Sequence, residues 1–152
     1  MAAPVLTYRG TFRFELGPDH LWEQIGSFGR FEEWWPWLTD LTVEGAGLSD
    51  GSVLSGTVNP PLPYRMRLQV VLDRCVAPRV IDATVHGDLR GDAHLRFSPD
   101  GTGTRVEAVW TVEMRQPAMR LASRIGRPLL QWGHDRVVET TVSGFRRRIE
   151  AL

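Results

Sequence analysis

Hydrophobic and polar residues alternate along most of the chain before residue 114, which is typical of strands with one buried face. The first alternating stretch is Leu6–Leu16, and a Gly-Pro-Asp break follows it. From Leu38 to Met114 the alternation returns in short stretches that glycine and proline turns separate. Because each stretch has one apolar side, the pattern predicts an antiparallel sheet of six to seven strands with one solvated face.

Helical spacing appears twice in the sequence. After the first strand, Leu21, Trp22 and Ile25 fall at helical spacing behind Pro18, and a second short turn follows at Phe31–Trp35. Proline fits the first turn of a helix, which supports a start at this position. Two short helices are therefore predicted between the first strand and the rest of the sheet.

The last part of the chain has helical spacing from Gln116 to Leu152, with Pro128 predicted to kink or split the helix. A sheet with one apolar face needs a cover, and this helix is the only predicted element long enough to provide it. We therefore expect one α+β domain over residues 1–152, with a curved sheet around the C-terminal helix. The apolar stripe of the C-terminal helix consists of Leu130, His134, Val138, Thr141, Phe145 and Leu152, with Val137, Val142 and Ile149 beside it.

Composition and charge exclude several function classes. The eighteen basic residues are all arginine and balance eighteen acidic ones, so the sequence gives no sign of nucleic-acid binding. The absence of lysine excludes Schiff-base and P-loop lysine chemistry. Cys75 is the only cysteine and cannot form an intrachain disulfide, which favours a reducing, cytoplasmic location. Its place in an apolar run predicts that it is buried. No apolar stretch is long enough for a transmembrane helix, and the N-terminus has no signal-peptide pattern.

Four segments match those of a known superfamily: Gly17–Trp22, the tryptophan-proline segment Trp34–Leu38, the hairpin Asp100–Val106 and the last helix from Trp132 to Arg147. Together with the order of elements, they resemble the START-like, or SRPBCC (Bet v 1-like), superfamily with its helix-grip fold. Within it, the chain is most similar to the bacterial polyketide cyclase/dehydrase-like branch. The resemblance implies a cavity between sheet and C-terminal helix that takes a hydrophobic or aromatic small molecule.

Three function hypotheses follow from these observations. The first is a module that binds a lipid, quinone or polyketide without a cofactor or metal. The second is a polyketide aromatase/cyclase or dehydratase. The third is a protein-interaction module of the co-chaperone or toxin-like type, which would expose an apolar patch at the tryptophans. A homodimer is left open as the assembly.

His134 is the candidate catalytic residue, because a histidine on the apolar stripe could act as a general acid or base on a bound carbonyl. Tyr64 would then donate a hydrogen bond to an enolate. The alternative is a buried histidine with a structural hydrogen bond. Asp135 is expected to orient His134 poorly, because adjacent helical residues point about 100° apart.

The candidate ligand-binding residues are mainly aromatic and lie on predicted inward faces. The Trp34–Trp37 segment either plugs the open end of the sheet or frames the cavity mouth. The proline-rich segment Asn59–Pro63 either flanks the entrance or forms a stiff hairpin. His86 and His94 could pair across strands, but no third ligand is suitably spaced, so no metal site is predicted. The ligand-binding set is Trp35, Trp37, Tyr64, Met66, Trp110, His134, Val138 and Phe145.

Overall fold

A computed structural model describes residues 5–62, 64–115 and 126–150. It has the predicted α+β helix-grip architecture, which confirms the fold expected from the alternation and the resemblance. A 3-10 turn at Phe28–Arg30 joins the first two helices. The strands are β1 (Val5–Phe14), β2 (Leu38–Glu44), β3 (Val53–Val58), β4 (Met66–Val76), β5 (Val80–Gly87), β6 (Leu89–Asp100) and β7 (Gly103–Met114). The helices are α1 (Pro18–Ile25), α2 (Phe31–Trp34) and α3 (Arg127–Glu150).

All seven strands belong to one antiparallel sheet in the order β1-β7-β6-β5-β4-β3-β2. Strands β2 to β7 follow one another as neighbours, whereas α1 and α2 carry the chain from β1 to the opposite edge. This connection places β1 beside β7, with Tyr8 opposite Trp110 and Phe12 opposite Val106. The register brings the apolar positions of the first and last strands together on the inward face.

Helix α3 packs on this inward face and is fixed at its C-terminal half. Phe145 is buried and meets the rings of Phe14 and Trp34 edge-on, at centroid distances of 5.5 and 5.3 Å. The neighbouring Gly144 permits this approach, because a Cβ atom there would lie 2.7 Å from the carbonyl oxygen of Trp34. Helices α2 and α3 therefore touch backbone to backbone at this point.

Several boundaries differ from the sequence prediction. Strand β1 ends at Phe14 instead of Leu16, because the chain turns there towards α1. Pro128 lies in the first turn of α3, where proline fits, so the long C-terminal helix begins at this position. The predicted helical residues 116–125 and Leu152 lie outside the described residues.

Cys75 is half-buried, which corrects the prediction of a fully buried thiol. The register of β4 against β5 shifts between Leu72 and Arg74, so the strict inward alternation ends before Cys75 is reached. Burial, with smaller contributions from Asp50 and Asp82, raises the pKa of this thiol. Cys75 is therefore not an activated nucleophile.

No helix in the described ranges combines the length and the apolar character needed to cross a membrane.

The packing of α3 predicts the effect of one core deletion. Phe145→Ala should lower the free energy of unfolding by about 3–5 kcal/mol, because it removes a ring that two other aromatic side chains enclose. Trp132→Ala on the same helix is the control; Trp132 is 48% exposed, and its loss should cost about 0.5 kcal/mol or less. Urea unfolding of both variants measures the difference. Similar small losses for both would contradict this register of α3.

Candidate ligand-binding cavity

A cavity of about 400 Å³ lies between the inward face of the sheet and α3. Side chains from β1, from the two short helices and the Trp35–Trp37 turn, from β3, β4, β6 and β7, and from α3 line it. The lining is almost wholly aliphatic and aromatic, with Tyr64, His134 and Thr141 as its hydroxyl and imidazole residues. All of the residues predicted to bind a ligand line this cavity: Trp35, Trp37, Tyr64, Met66, Trp110, His134, Val138 and Phe145.

The three clustered tryptophans divide between core and cavity. Trp34 is 3% exposed and packs into the core beneath α3. Trp35 and Trp37 are half-buried cavity residues, with rings stacked at 5.5 Å and an interplanar angle of 12°. Trp34 thus belongs to the core and Trp35 and Trp37 belong to the cavity wall, because α2 ends at Trp34 and the backbone becomes extended at Trp35.

The polar atoms near Trp35 bind to the backbone of α3. The Trp35 indole N–H donates to the carbonyl oxygen of Thr141 at 2.9 Å. The Thr141 hydroxyl donates to the carbonyl oxygen of Val137 at 2.6 Å. Since both groups are satisfied within the protein, this wall presents apolar surface to the cavity.

His134 forms the polar contact between α3 and the sheet. The Trp110 indole N–H donates to its Nε2 at 2.8 Å, and its Nδ1 lies 3.1 Å from Oδ1 of Asp135. An indole can only donate, so Nε2 carries no proton and the imidazole is neutral. The proton is then on Nδ1 and is donated to the carboxylate.

This geometry corrects the expectation that Asp135 would orient His134 poorly. Adjacent Cβ atoms do point apart on a helix, but the short Asp135 side chain lies beside the Nδ1 edge of the ring. Gln131 Nε2 also donates to the same carboxylate oxygen at 2.9 Å and to the carbonyl oxygen of Thr7 at 3.3 Å. The imidazole is therefore held from both sides.

Tyr8 is a residue of this region that the sequence analysis missed. Its ring stacks on Trp110 at 4.6 Å and lies 6.0 Å from the imidazole of His134. Burial, and then the charges of Asp135 and Glu139, raise the pKa of its phenol. Its place in the alternation of β1 was visible in the sequence, but the pairing of β1 with β7 was not.

Two polar groups of the lining remain open to a ligand. Tyr64 is 8% exposed, and burial raises the pKa of its phenol, so the hydroxyl is neutral at physiological pH. Within the part of the chain that the structure describes, this hydroxyl has no hydrogen-bond partner. The Trp37 indole N–H is likewise buried without a partner among the described residues. Both groups can form a hydrogen bond without breaking one inside the protein.

The proline-rich loop lies against α3 at the edge of the cavity. Leu62 packs over Gly133, where any side chain would overlap it, and Pro60 contributes to the cavity wall. Trp37 and Val137 separate the cavity from a shallower surface groove, because both line the two spaces. The loop therefore lies beside the cavity.

His86 and His94 lie on the solvated face of the sheet. His94 Nδ1 and Arg96 both contact Oδ1 of Asp82, at 2.7 and 2.8 Å, and their hydrogen bonds hold the pKa of that carboxyl below its usual range. His86 is opposite Gln69 on β4, so it does not pair with His94. No group of three metal-ligating side chains occurs among residues 5–62, 64–115 and 126–150.

Comparison with solved structures shows the same fold in other proteins. A protein of Thermus thermophilus has a TM-score of 0.75 at 18% identity, over 95% of this chain and 97% of that one. The Zhui aromatase/cyclase from Streptomyces sp. R1128 has a TM-score of 0.76 at 14% identity, over 96% and 94%. A START superfamily protein from Mycobacterium smegmatis has a TM-score of 0.73 at 13% identity, over 95% and 97%.

Sequence comparison gives a more specific result than these distant structural similarities. No curated protein matches the chain significantly. The sequence profile of the family described as "Polyketide cyclase / dehydrase and lipid transport" matches residues 5–152. The chain therefore belongs to the polyketide cyclase/dehydrase and lipid transport family.

Proposed function

We propose that this protein binds a hydrophobic or aromatic small molecule in the cavity between the sheet and α3. The observation that carries the proposal is the apolar cavity of about 400 Å³ with stacked tryptophans in its wall. Burial of apolar ligand surface is favourable in such a space, and aromatic walls add stacking contacts. The family description, which names both cyclases and lipid transport, agrees with a ligand of this class.

The volume restricts the size of the ligand. Small-molecule pockets typically measure about 300–1,000 Å³, so this cavity is at the lower end of the range. It suits one compact molecule, such as a fused aromatic system or a short isoprenoid, better than a lipid with two acyl chains. The Tyr64 hydroxyl and the Trp37 indole N–H can each donate a hydrogen bond to a neutral oxygen of that molecule.

Binding is favoured over the other two hypotheses by specific contacts. Acid–base catalysis by His134 needs a free Nε2, and the Trp110 indole occupies that atom. An interaction module would expose the clustered tryptophans, but Trp34 is buried and Trp35 and Trp37 line the cavity. The apolar patch that the third hypothesis requires is therefore not found at this segment.

A pair of tryptophan variants tests the proposal. Trp37→Ala should weaken binding of the neutral fluorescent probe N-phenylnaphthylamine about tenfold or more, because it removes a stacking surface from the cavity wall. Trp34→Ala, a core deletion, should lower the free energy of unfolding by about 3–5 kcal/mol and weaken binding less. Fluorescence titration and urea unfolding measure the two effects. Equal effects of both variants on binding would contradict a ligand contact by Trp37.

Filling the cavity is a second test. Val138→Phe places a ring into the space from α3 and should abolish probe binding, while the free energy of unfolding falls by about 1–3 kcal/mol at most. Glu139→Phe is the matched control, since it adds the same ring on the exposed side of the same helix. It should leave the affinity for the probe unchanged. Undiminished binding by Val138→Phe would place the probe elsewhere and overturn the proposed site.

A further inference from the structure

The contact between Trp110 and His134 joins a hydrogen-bond donor to a basic nitrogen inside an apolar cavity. His134 lines the cavity, and its Nε2 has an unprotonated lone pair, which the indole N–H covers at 2.8 Å. On the other side, Nδ1 is bonded to the Asp135 carboxylate. A carboxylate in this position stabilises the imidazolium that forms when Nε2 takes up a proton.

We infer that His134 and Asp135 form a base that Trp110 masks, and that the cavity abstracts protons from a bound molecule when the indole leaves Nε2. The inference rests on the proposed function, since the molecule must first enter the cavity. The substrate class is an apolar compound with an acidic C–H bond. Nε2 accepts the proton, and the electron pair of that bond stays with the substrate.

Neighbouring side chains hold His134 and Asp135 in a fixed arrangement. Gln131 holds the Asp135 carboxylate and is itself bonded to the Thr7 carbonyl of β1, so the histidine ring is fixed by contacts other than Trp110. The His134 side chain is 11% exposed and that of Asp135 is 48% exposed. The basic nitrogen thus faces the apolar interior, while the carboxylate is open to solvent and to proton release.

The hydrogen bond from Trp110 to His134 is weak enough to break. It is a single hydrogen bond between neutral groups, which contributes only modestly to stability. The Trp110 ring is half-buried, stacks on Tyr8 and borders the cavity, so space lies next to it. Asp135 and Tyr8 are the ionisable groups that the structure places beside the imidazole. Glu139 acts on the Tyr8 phenol, whose raised pKa keeps it neutral.

The test uses nitrobenzisoxazole, a small planar aromatic compound. A base removes its C–H proton, the carbon–nitrogen triple bond forms, the N–O bond breaks, and a coloured cyanophenolate is released. No oxidant or cofactor takes part. Trp110→Phe keeps an aromatic ring and removes the masking N–H, so the initial rate should rise about tenfold or more above that of the unmodified protein.

Matched variants test whether the gain in rate depends on His134 and Asp135. Trp132→Phe also removes an indole N–H, but Trp132 is 48% exposed on α3 and does not line the cavity; its rate should equal that of the unmodified protein. Trp110→Phe combined with His134→Gln should return to the same low rate. Trp110→Phe combined with Asp135→Asn should fall well below Trp110→Phe alone. A gain that persists without His134 would overturn the inference.

Separate measurements keep the inference falsifiable. Binding of nitrobenzisoxazole is measured by its competition with N-phenylnaphthylamine; binding to Trp110→Phe without a gain in rate would overturn the masked base and leave the binding function standing. Absence of binding to the unmodified protein would contradict the binding function itself. If Trp110→Phe does not fold, ¹⁵N NMR of labelled histidine in the unmodified protein shows which ring nitrogen of His134 carries the proton. A proton on Nδ1 with Nε2 as acceptor supports the inference, and a proton on Nε2 overturns it.

Discussion

The contact of Gly144 with the Trp34 carbonyl fixes how deeply α3 enters the sheet. Because α2 and α3 touch backbone to backbone there, α3 cannot move further inward at that end. Trp35 follows directly from α2 and donates to the Thr141 carbonyl, about one turn before Gly144 on α3. The same arrangement therefore supports the helix and keeps it off the sheet, and the space left between them is the cavity. A larger residue at position 144 would shift both the core and the cavity wall.

A cavity with apolar walls requires that most polar groups in its lining find partners, because an unpaired polar group in such surroundings costs about 1–3 kcal/mol. The indoles of Trp35 and Trp110 and the Thr141 hydroxyl donate to α3, and His134 bonds to its neighbour at the solvent side. Tyr64 keeps a neutral hydroxyl and Trp37 an indole N–H, so the lining favours an uncharged ligand with few polar atoms. A charged ligand would lose its hydration without gaining a counter-charge.

The sequence predicted the fold well because its main signals are local. Alternation identifies strands without knowledge of their neighbours, and the inward positions Met66, Trp110 and Val138 follow from the same kind of periodicity. The pairing of β1 with β7 is not local, so the stacking of Tyr8 on Trp110 could not be read from either strand alone. The Asp135 contact was missed for a different reason. Helical geometry gives the direction of a Cβ atom, whereas the rotamers of two neighbouring side chains decide whether their ends meet.

Tryptophan at position 110 affects both the stability of the fold and the availability of His134 as a base. A phenyl ring would fill most of the same space, but it would leave the His134 Nε2 lone pair unpaired beside an apolar cavity, at a cost of about 1–3 kcal/mol. The indole N–H removes that cost, but its hydrogen bond occupies the Nε2 lone pair, so Nε2 is not available as a base. Folding therefore favours the masked state, and proton abstraction would require the unmasked one. On this fold, a binding protein and a proton-abstracting enzyme can differ by one ring N–H group, because the carboxylate–imidazole pair and the cavity are present in both.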